Sequence, residues 1–300
     1  TGGGKTLAGL RYAVAHAQAQ GKRRIFYVAP LLSIIDQNAK EIREALGGEA
    51  TVLEHHSNLV RERDDSETLG MEEILQETWD APVIITTLVR LLDTLFSGRM
   101  SEVRRFKSLC GSVLIFDEIQ TGTGRTGTLY YFQQAGVTPD ILCTAKSFGG
   151  GMPLGAFISS DGIMSTLKTN PVLGHITTFG GHPVCCAAGL AALEYLLGEG
   201  LMQQADAKGA RYEQAMRAHP AVKEVRRAGL LMAVEFGDAA LCERVVQRAV
   251  ETGLLTEWFL FWPTALRIAP PLTITDDEID ASCRILLDAI DHAVARAGGR

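Results

Sequence analysis

The stretch Val113-Leu114-Ile115-Phe116-Asp117-Glu118-Ile119-Gln120 decides how this chain is read. Four apolar residues, a run of strand length, end in two adjacent carboxylates and an amide. This is how a buried parallel strand delivers acidic side chains to its carboxyl end. Upstream, the chain opens on a glycine run that reaches Lys5 and Thr6. Downstream, Thr121-Gly122-Thr123-Gly124-Arg125-Thr126-Gly127 leads through further apolar runs to Lys146. The two flanks ask different chemistry of the same acidic pair.

Working outward, the pattern is that of an α/β protein. Arg24–Ala29, Val83–Thr87 and Val113–Phe116 are apolar or β-branched runs of strand length. Leu7–Ala19 and Ser33–Leu46 read as helices, with more helix around 88–96 and 102–109. Strands alternating with helices predict a parallel sheet. The charged segment 58–80 is expected to include a surface loop. Beyond Gln120, strands are expected at 141–143 and 155–159, and a long helix from Pro183 past Leu197. A smaller α/β unit follows, with strands near 230–236 and 266–268 and helices from Ala239 to Glu251 and from Asp276 to Ala295. Asp276 and Asp277 favour the positive end of the last helix. No Pro- or Ser-rich linker marks a hinge at 117.

The bulk properties bound the classes. The 300 residues are 46% hydrophobic and 21% charged, with 31 glycines, a globular and ordered composition. A net charge of −6 excludes a generally basic nucleic-acid coat. Six cysteines show no CxxC pair and no ligand-like histidine spacing, which predicts reduced thiols and a cytoplasmic setting. No apolar run approaches the ~20 residues of a membrane span, so no membrane partner is expected. Thr1 stands inside a motif, which predicts that an upstream segment precedes it.

The glycine run Thr1-Gly2-Gly3-Gly4-Lys5-Thr6 has the chemistry of a phosphate cradle. Glycines let backbone N–H groups turn toward phosphate oxygens, Lys5 reaches the terminal phosphates, and the Thr6 hydroxyl is a ligand for Mg²⁺. Asp117 and Glu118 at the end of a later strand complete the pattern, one carboxylate for the metal and one beside an attacking water. Together with "GKRRIFYVAPLLSIIDQNA", "VLEHHSN", "WDAPVIITTLVRLLDTLFSG" and "SVLIFDEIQ", this half resembles the CRISPR-associated helicase of type I interference systems over residues 1–120. The resemblance implies a first RecA-like domain that binds ATP and Mg²⁺ through Gly2, Gly3, Gly4, Lys5, Thr6, Asp117 and Glu118. It implies that Pro30, Thr86 and Thr87 sit in the loops that face single-stranded DNA. A feeding strand, a nuclease domain and a second RecA-like domain are absent from the sequence. His55 and His56 read as a polar loop pair.

The second half carries the residue types that pyridoxal phosphate (PLP) needs: a lysine, an acid for the ring nitrogen, phosphate donors and a cation for a carboxylate. "DEIQTGTGRTG", "PDILCTAKSFGGGMPLGAF", "GHITTFGGHPVCCAAGLAAL" and "LRIAPPLTITDDEID" are similar to segments of the class III aminotransferases, the group of the ornithine, acetylornithine and 4-aminobutyrate enzymes. The resemblance implies that Lys146 joins the coenzyme covalently and shuttles a proton. It implies that Asp117 pairs with the ring nitrogen, Gln120 contacts the ring hydroxyl and Arg267 clamps a substrate carboxylate. It implies too that Thr178 binds the phosphate of a neighbouring subunit's coenzyme, and hence a homodimer with shared sites acting on an amino acid and a 2-oxo acid. His182 reads as a helix-start residue, and Met152, Cys185 and Cys186 as packing groups. Trp258, Phe259, Phe261 and Trp262 either line a substrate mouth or fill the core. Thr123 stands where the family usually carries a bulky residue, and the family's upstream phosphate loop and stacking aromatic are absent.

The expected fold is therefore α/β: a partial RecA-like parallel sheet joined to the C-terminal part of the fold type I PLP-dependent transferases. The expected divisions are 1–116, 117–197 and 198–300, in a spliced or misassembled reading frame. Asp117 would have to serve both Mg²⁺ and pyridinium, and its strand would have to belong to two differently ordered sheets.

Overall fold

Ile25, Phe26, Tyr27 and Val28 are all buried, as are Val83, Ile84 and Ile85. Strands apolar on both faces pair in parallel with helices over them. In a computed structural model of the chain they do so. The structure describes residues 3–29, 32–47, 52–55, 71–88, 90–91, 94, 105, 107–168, 177–260 and 262–297, the side chains of 3–6, 8, 32–38, 71–73 and 167 excepted.

The chain forms two compact units, one of residues 1–120 and 135–190, the other of 121–134 and 191–300. The first unit is built on a six-stranded sheet. Its strands are β1 (Arg24–Ala29), β2 (Val52–His55), β3 (Val83–Thr87), β4 (Ser112–Asp117), β5 (Ile141–Thr144) and β6 (Ala156–Ser159). Their spatial order is β2-β3-β1-β4-β5-β6. All neighbours are parallel except β5 and β6, which are antiparallel. One face is covered by the helices Gly3–Ala19 and Leu32–Ala45, where Leu10, Tyr12, Ala13, Ala39 and Ile42 meet Ile25, Tyr27, Ile85, Val113, Ile115 and Ile141.

The expected conflict between two sheets does not arise. Strand β4 pairs with β1 on one edge (Phe26↔Leu114) and with β5 on the other (Phe116↔Leu142). Both neighbours run in its direction, so a single strand satisfies the backbone donors of each flank. Within segment 58–80, Met71–Thr78 is helical, and 58–70 lie outside the described residues. Trp79 beside it is fully buried, and its indole N–H donates to His55 Nδ1 at 2.7 Å. His55 is thus a buried residue of β2 and not part of a polar loop, while His56 lies outside the described residues.

The second unit rests on an antiparallel sheet in the order β7-β8-β10-β9, from β7 (Glu224–Ala228), β8 (Leu231–Glu235), β9 (Glu257–Phe259) and β10 (Trp262–Ile268). Helices Leu201–Arg217, Ala239–Glu251 and Asp276–Ala297 accompany it. Buried Leu201, Ala205, Gly209, Tyr212 and Met216 recur at helical spacing, as do Cys242, Val245, Val246 and Ala249. Asp238 caps one helix by accepting from the N–H groups of Ala240 and Leu241. Thr275 and Glu278 cap the last reciprocally: each side chain accepts from the other's backbone N–H, at 3.3 and 2.8 Å. The sequence reading missed β7, whose Glu-Val-Arg-Arg-Ala carries only Val225 fully inward, and the three-residue β9. Among the described residues no single helix is long and apolar enough to cross a membrane.

Candidate active site

Parallel strands present their carboxyl ends on one side of a sheet, and β4 and β5 are in register there, Asp117 opposite Cys143. Asp117, the last residue of β4, is buried. Tyr27 donates its phenolic O–H to Asp117 Oδ2 at 3.1 Å, and the Ile119 N–H donates to Oδ1 at 3.1 Å. Glu118 is buried too, and its N–H donates to the Cys143 carbonyl at 2.9 Å. Beyond β5, Ala145 is extended and buried, and Lys146 then turns with φ of +51°. A non-glycine residue held in the left-handed region is strained, and such strain collects at functional sites. Lys146 opens a 3-10 turn to Gly149, which ends at Gly150 with φ of +58°. Its side chain is exposed.

The other expected site residues fall as follows. Gln120 is half-buried just past Glu118. Thr178 is exposed in the turn before helix Pro183–Gly198, and His182 immediately precedes that helix, as read. Cys185 is buried, but Cys186 and Met152 are exposed and do not pack as expected. Gly2 lies outside the described residues, as does Pro30. Gly3, Gly4, Lys5 and Thr6 begin the helix Gly3–Ala19, their side chains outside the described set. Thr86 and Thr87 belong to strand β3 and not to a loop, and both are buried, Thr86 donating to the His55 carbonyl and Thr87 accepting from the Arg90 N–H.

Arg267 belongs to the second unit. It sits on β10 opposite Glu257 of β9 and forms an ion pair with it. Burial pulls its guanidinium below the ordinary value. It lines a cavity of about 380 Å³ with Tyr212, Thr256, Glu257, Pro271 and Ser282. The Tyr212 and Ser282 hydroxyls are 2.6 Å apart, and burial pushes the Tyr212 phenol up. Of the aromatic cluster, Phe259 is core while Trp258 is over a third exposed, and Phe261 lies outside the described residues.

Three residues escaped the sequence reading. Tyr27 looked like one more strand aromatic. Glu257 had no pattern around it. Arg125, between two glycine-flanked threonines, is the only one with a visible signal. It donates to the carbonyls of Leu230 and Pro270.

The comparisons with known proteins bear on these positions. Residues 97–290 match the profile of the family described as Aminotransferase class-III. The chain belongs to that family. Residues 1–131 match the DEAD/DEAH box helicase profile, so two families meet on this class III aminotransferase, and the chimeric reading fits. Its structural neighbours are transaminases of fold type I. The omega transaminase of Pseudomonas jessenii in complex with PMP is 28% identical with a TM-score of 0.60, over 67% of this chain and 48% of that one. Ornithine delta-aminotransferase of Plasmodium falciparum is 31% identical with a TM-score of 0.60, over 75% and 60%. Ornithine aminotransferase of Toxoplasma gondii, with partial occupancy of PLP at its active site, is 25% identical with a TM-score of 0.68, over 97% and 72%. The chain thus spans about half the length of the omega transaminases it matches.

The residues of the class III aminotransferase fit part of a PLP site. A buried acid with aligned donors ends β4, and a lysine follows the end of the adjacent strand β5, residue types that suit the coenzyme's ring nitrogen and its aldehyde.

Proposed function

We propose that this class III aminotransferase transfers an amino group from an amino acid to a 2-oxo acid such as 2-oxoglutarate, using PLP held by Asp117, Gln120 and Lys146. The observation that carries the reading is the strand pair β4–β5. It puts the carboxylate of Asp117 and the strained Lys146 at one sheet edge, inside the segment that matches the family. Bound there, the coenzyme supplies an electron sink for the substrate's Cα. Lys146 Nζ carries the proton to and from that carbon, and Asp117 accepts the ring-nitrogen hydrogen bond. Arg267 holds a substrate carboxylate in place of Glu257, where its planar fork suits a two-oxygen ligand.

Further proposals rest on this one. The chain works in the cytoplasm as a homodimer in which Thr178 binds the phosphate of the neighbouring subunit's coenzyme. The divisions are a partial helicase domain at 1–116, a coenzyme-binding large-domain remnant at 117–197 and an aminotransferase small domain at 198–300, and they differ from the compact units. The first piece derives from a CRISPR-associated helicase by a spliced or misassembled reading frame. Independent sequencing of the locus across codons 110–125 tests this: a junction that persists rejects misassembly.

The test of function is addition of PLP to the full chain. A yellow chromophore that borohydride fixes to Lys146, and that Lys146→Ala abolishes, is the expected result. No chromophore in the folded chain overturns the reading. A second reading is favoured by the helicase match: an ATP- and Mg²⁺-binding fragment that uses Gly2, Gly3, Gly4, Lys5, Thr6, Asp117 and Glu118. It expects ATP hydrolysis stimulated by single-stranded DNA and lost in Lys5→Ala.

A further inference from the structure

We infer that Tyr27, contributed by the segment that matches the helicase profile, is a positioning residue for Asp117; this rests on the coenzyme reading above. Tyr27 lies on β1 opposite Ile115 of β4, so Asp117 stands two residues farther along the same face of the neighbouring strand. That diagonal is within reach of a long aromatic side chain. The phenol is fully buried, in a row with the apolar Ile25 and Ala29. Its hydroxyl meets Oδ2 while the Ile119 N–H meets Oδ1, so the two donors fix the plane of the carboxylate from opposite oxygens. Phenylalanine would fill the same volume, so packing alone does not account for a hydroxyl here. The part of the chain foreign to aminotransferases thereby aims the acid on which the coenzyme depends.

The experiment compares the full chain, Tyr27→Phe, Asp117→Asn and the double variant in PLP titrations followed by chromophore absorbance and protein fluorescence. Losing one hydrogen bond to a charged acceptor weakens PLP binding about tenfold. Tyr27→Phe also moves the pH at which the chromophore titrates. In the Asp117→Asn background the same change alters affinity by less than about twofold, because the charged acceptor that Tyr27 orients is already lost. Equal affinity and titration in Tyr27→Phe overturns the inference and leaves the proposed function standing. An equal loss in both backgrounds also overturns it, since that is a packing effect. A parent chain that takes up no PLP overturns the proposed function and this inference together. Should Tyr27→Phe fail to fold, 3-fluorotyrosine placed at position 27 keeps the shape with a stronger donor. A shifted titration then supports the inference and an unchanged one overturns it.

Discussion

Gly189 of helix Pro183–Gly198 approaches the backbone of Phe148 so closely that a β-carbon on it would lie 2.9 Å from the Phe148 carbonyl oxygen and 2.8 Å from the Leu154 side chain. Phe148 belongs to the turn that Lys146 opens, so the helix braces the strained lysine from behind. Gly189→Ala is expected to cost about 1–3 kcal/mol by overpacking, and to lower the yield of Lys146-bound coenzyme. Thermal melts and borohydride trapping check the two effects.

Arg125 anchors the loop 121–134 within its unit. Its guanidinium donates to Leu230 O and Pro270 O, and its own carbonyl accepts from the Leu230 N–H at 2.9 Å. Burial, and then the charge of Arg267, pull the Arg125 guanidinium below its ordinary value. Arg125→Ala strands those carbonyls and is expected to lower stability by about 1–3 kcal/mol, read by urea unfolding.

A β-carbon on Gly209 would meet the Gly229 carbonyl oxygen at 2.0 Å, a backbone atom that cannot step aside. Gly209→Ala is expected to push helix Leu201–Arg217 away from the β7–β8 turn, at a cost of about 3 kcal/mol or more. Loss of soluble folded protein, or a large fall in melting temperature, is the readout.

Arg267→Ala is expected to leave PLP uptake intact. It raises KM for a carboxylate substrate about 10- to 100-fold, the range for losing a charge-assisted pair. Steady-state kinetics beside a PLP titration separates the two. A loss of PLP affinity of similar size would show that Arg267 holds the coenzyme instead.

Burial pushes the Cys242 thiol up to about 12 and Cys283 up to about 11, from an ordinary value of 9.0. Both are raised, so the stability they carry is fully present below about pH 9 and is lost as pH rises through 11 and 12. Cys242→Ala is expected to flatten the alkaline side of the stability curve. Native protein at pH 8 is expected to leave both thiols unreactive toward a thiol reagent.

These expectations divide by how local their cause is. Arg24–Ala29 and Ala239–Glu251 were legible as written, because doubly buried strands and capped amphipathic helices carry their pattern in consecutive residues. The places of Asp117 at the end of β4 and of Lys146 beyond β5 were legible for the same reason, each marked by a strand end. Tyr27 was not. Its hydroxyl matters only once β1 and β4 are in register, and the two residues are 90 apart in sequence. Arg125 reaches Pro270 across 145 residues. The edge strand β7 hid behind charges because one face of it meets solvent. Burial of Thr86 was equally invisible, since a threonine at a strand end looks the same whether it meets ligand or core.

Strand β4, with one lineage hydrogen-bonded to each edge, changes what this fusion is mechanically. Beads on a string come apart at the string; here the seam runs through the middle of a shared scaffold. Melting either flank strips a neighbour from the same six residues, so the first unit should surrender in one cooperative step. A protease nick near position 117 would therefore leave two fragments still clasped together.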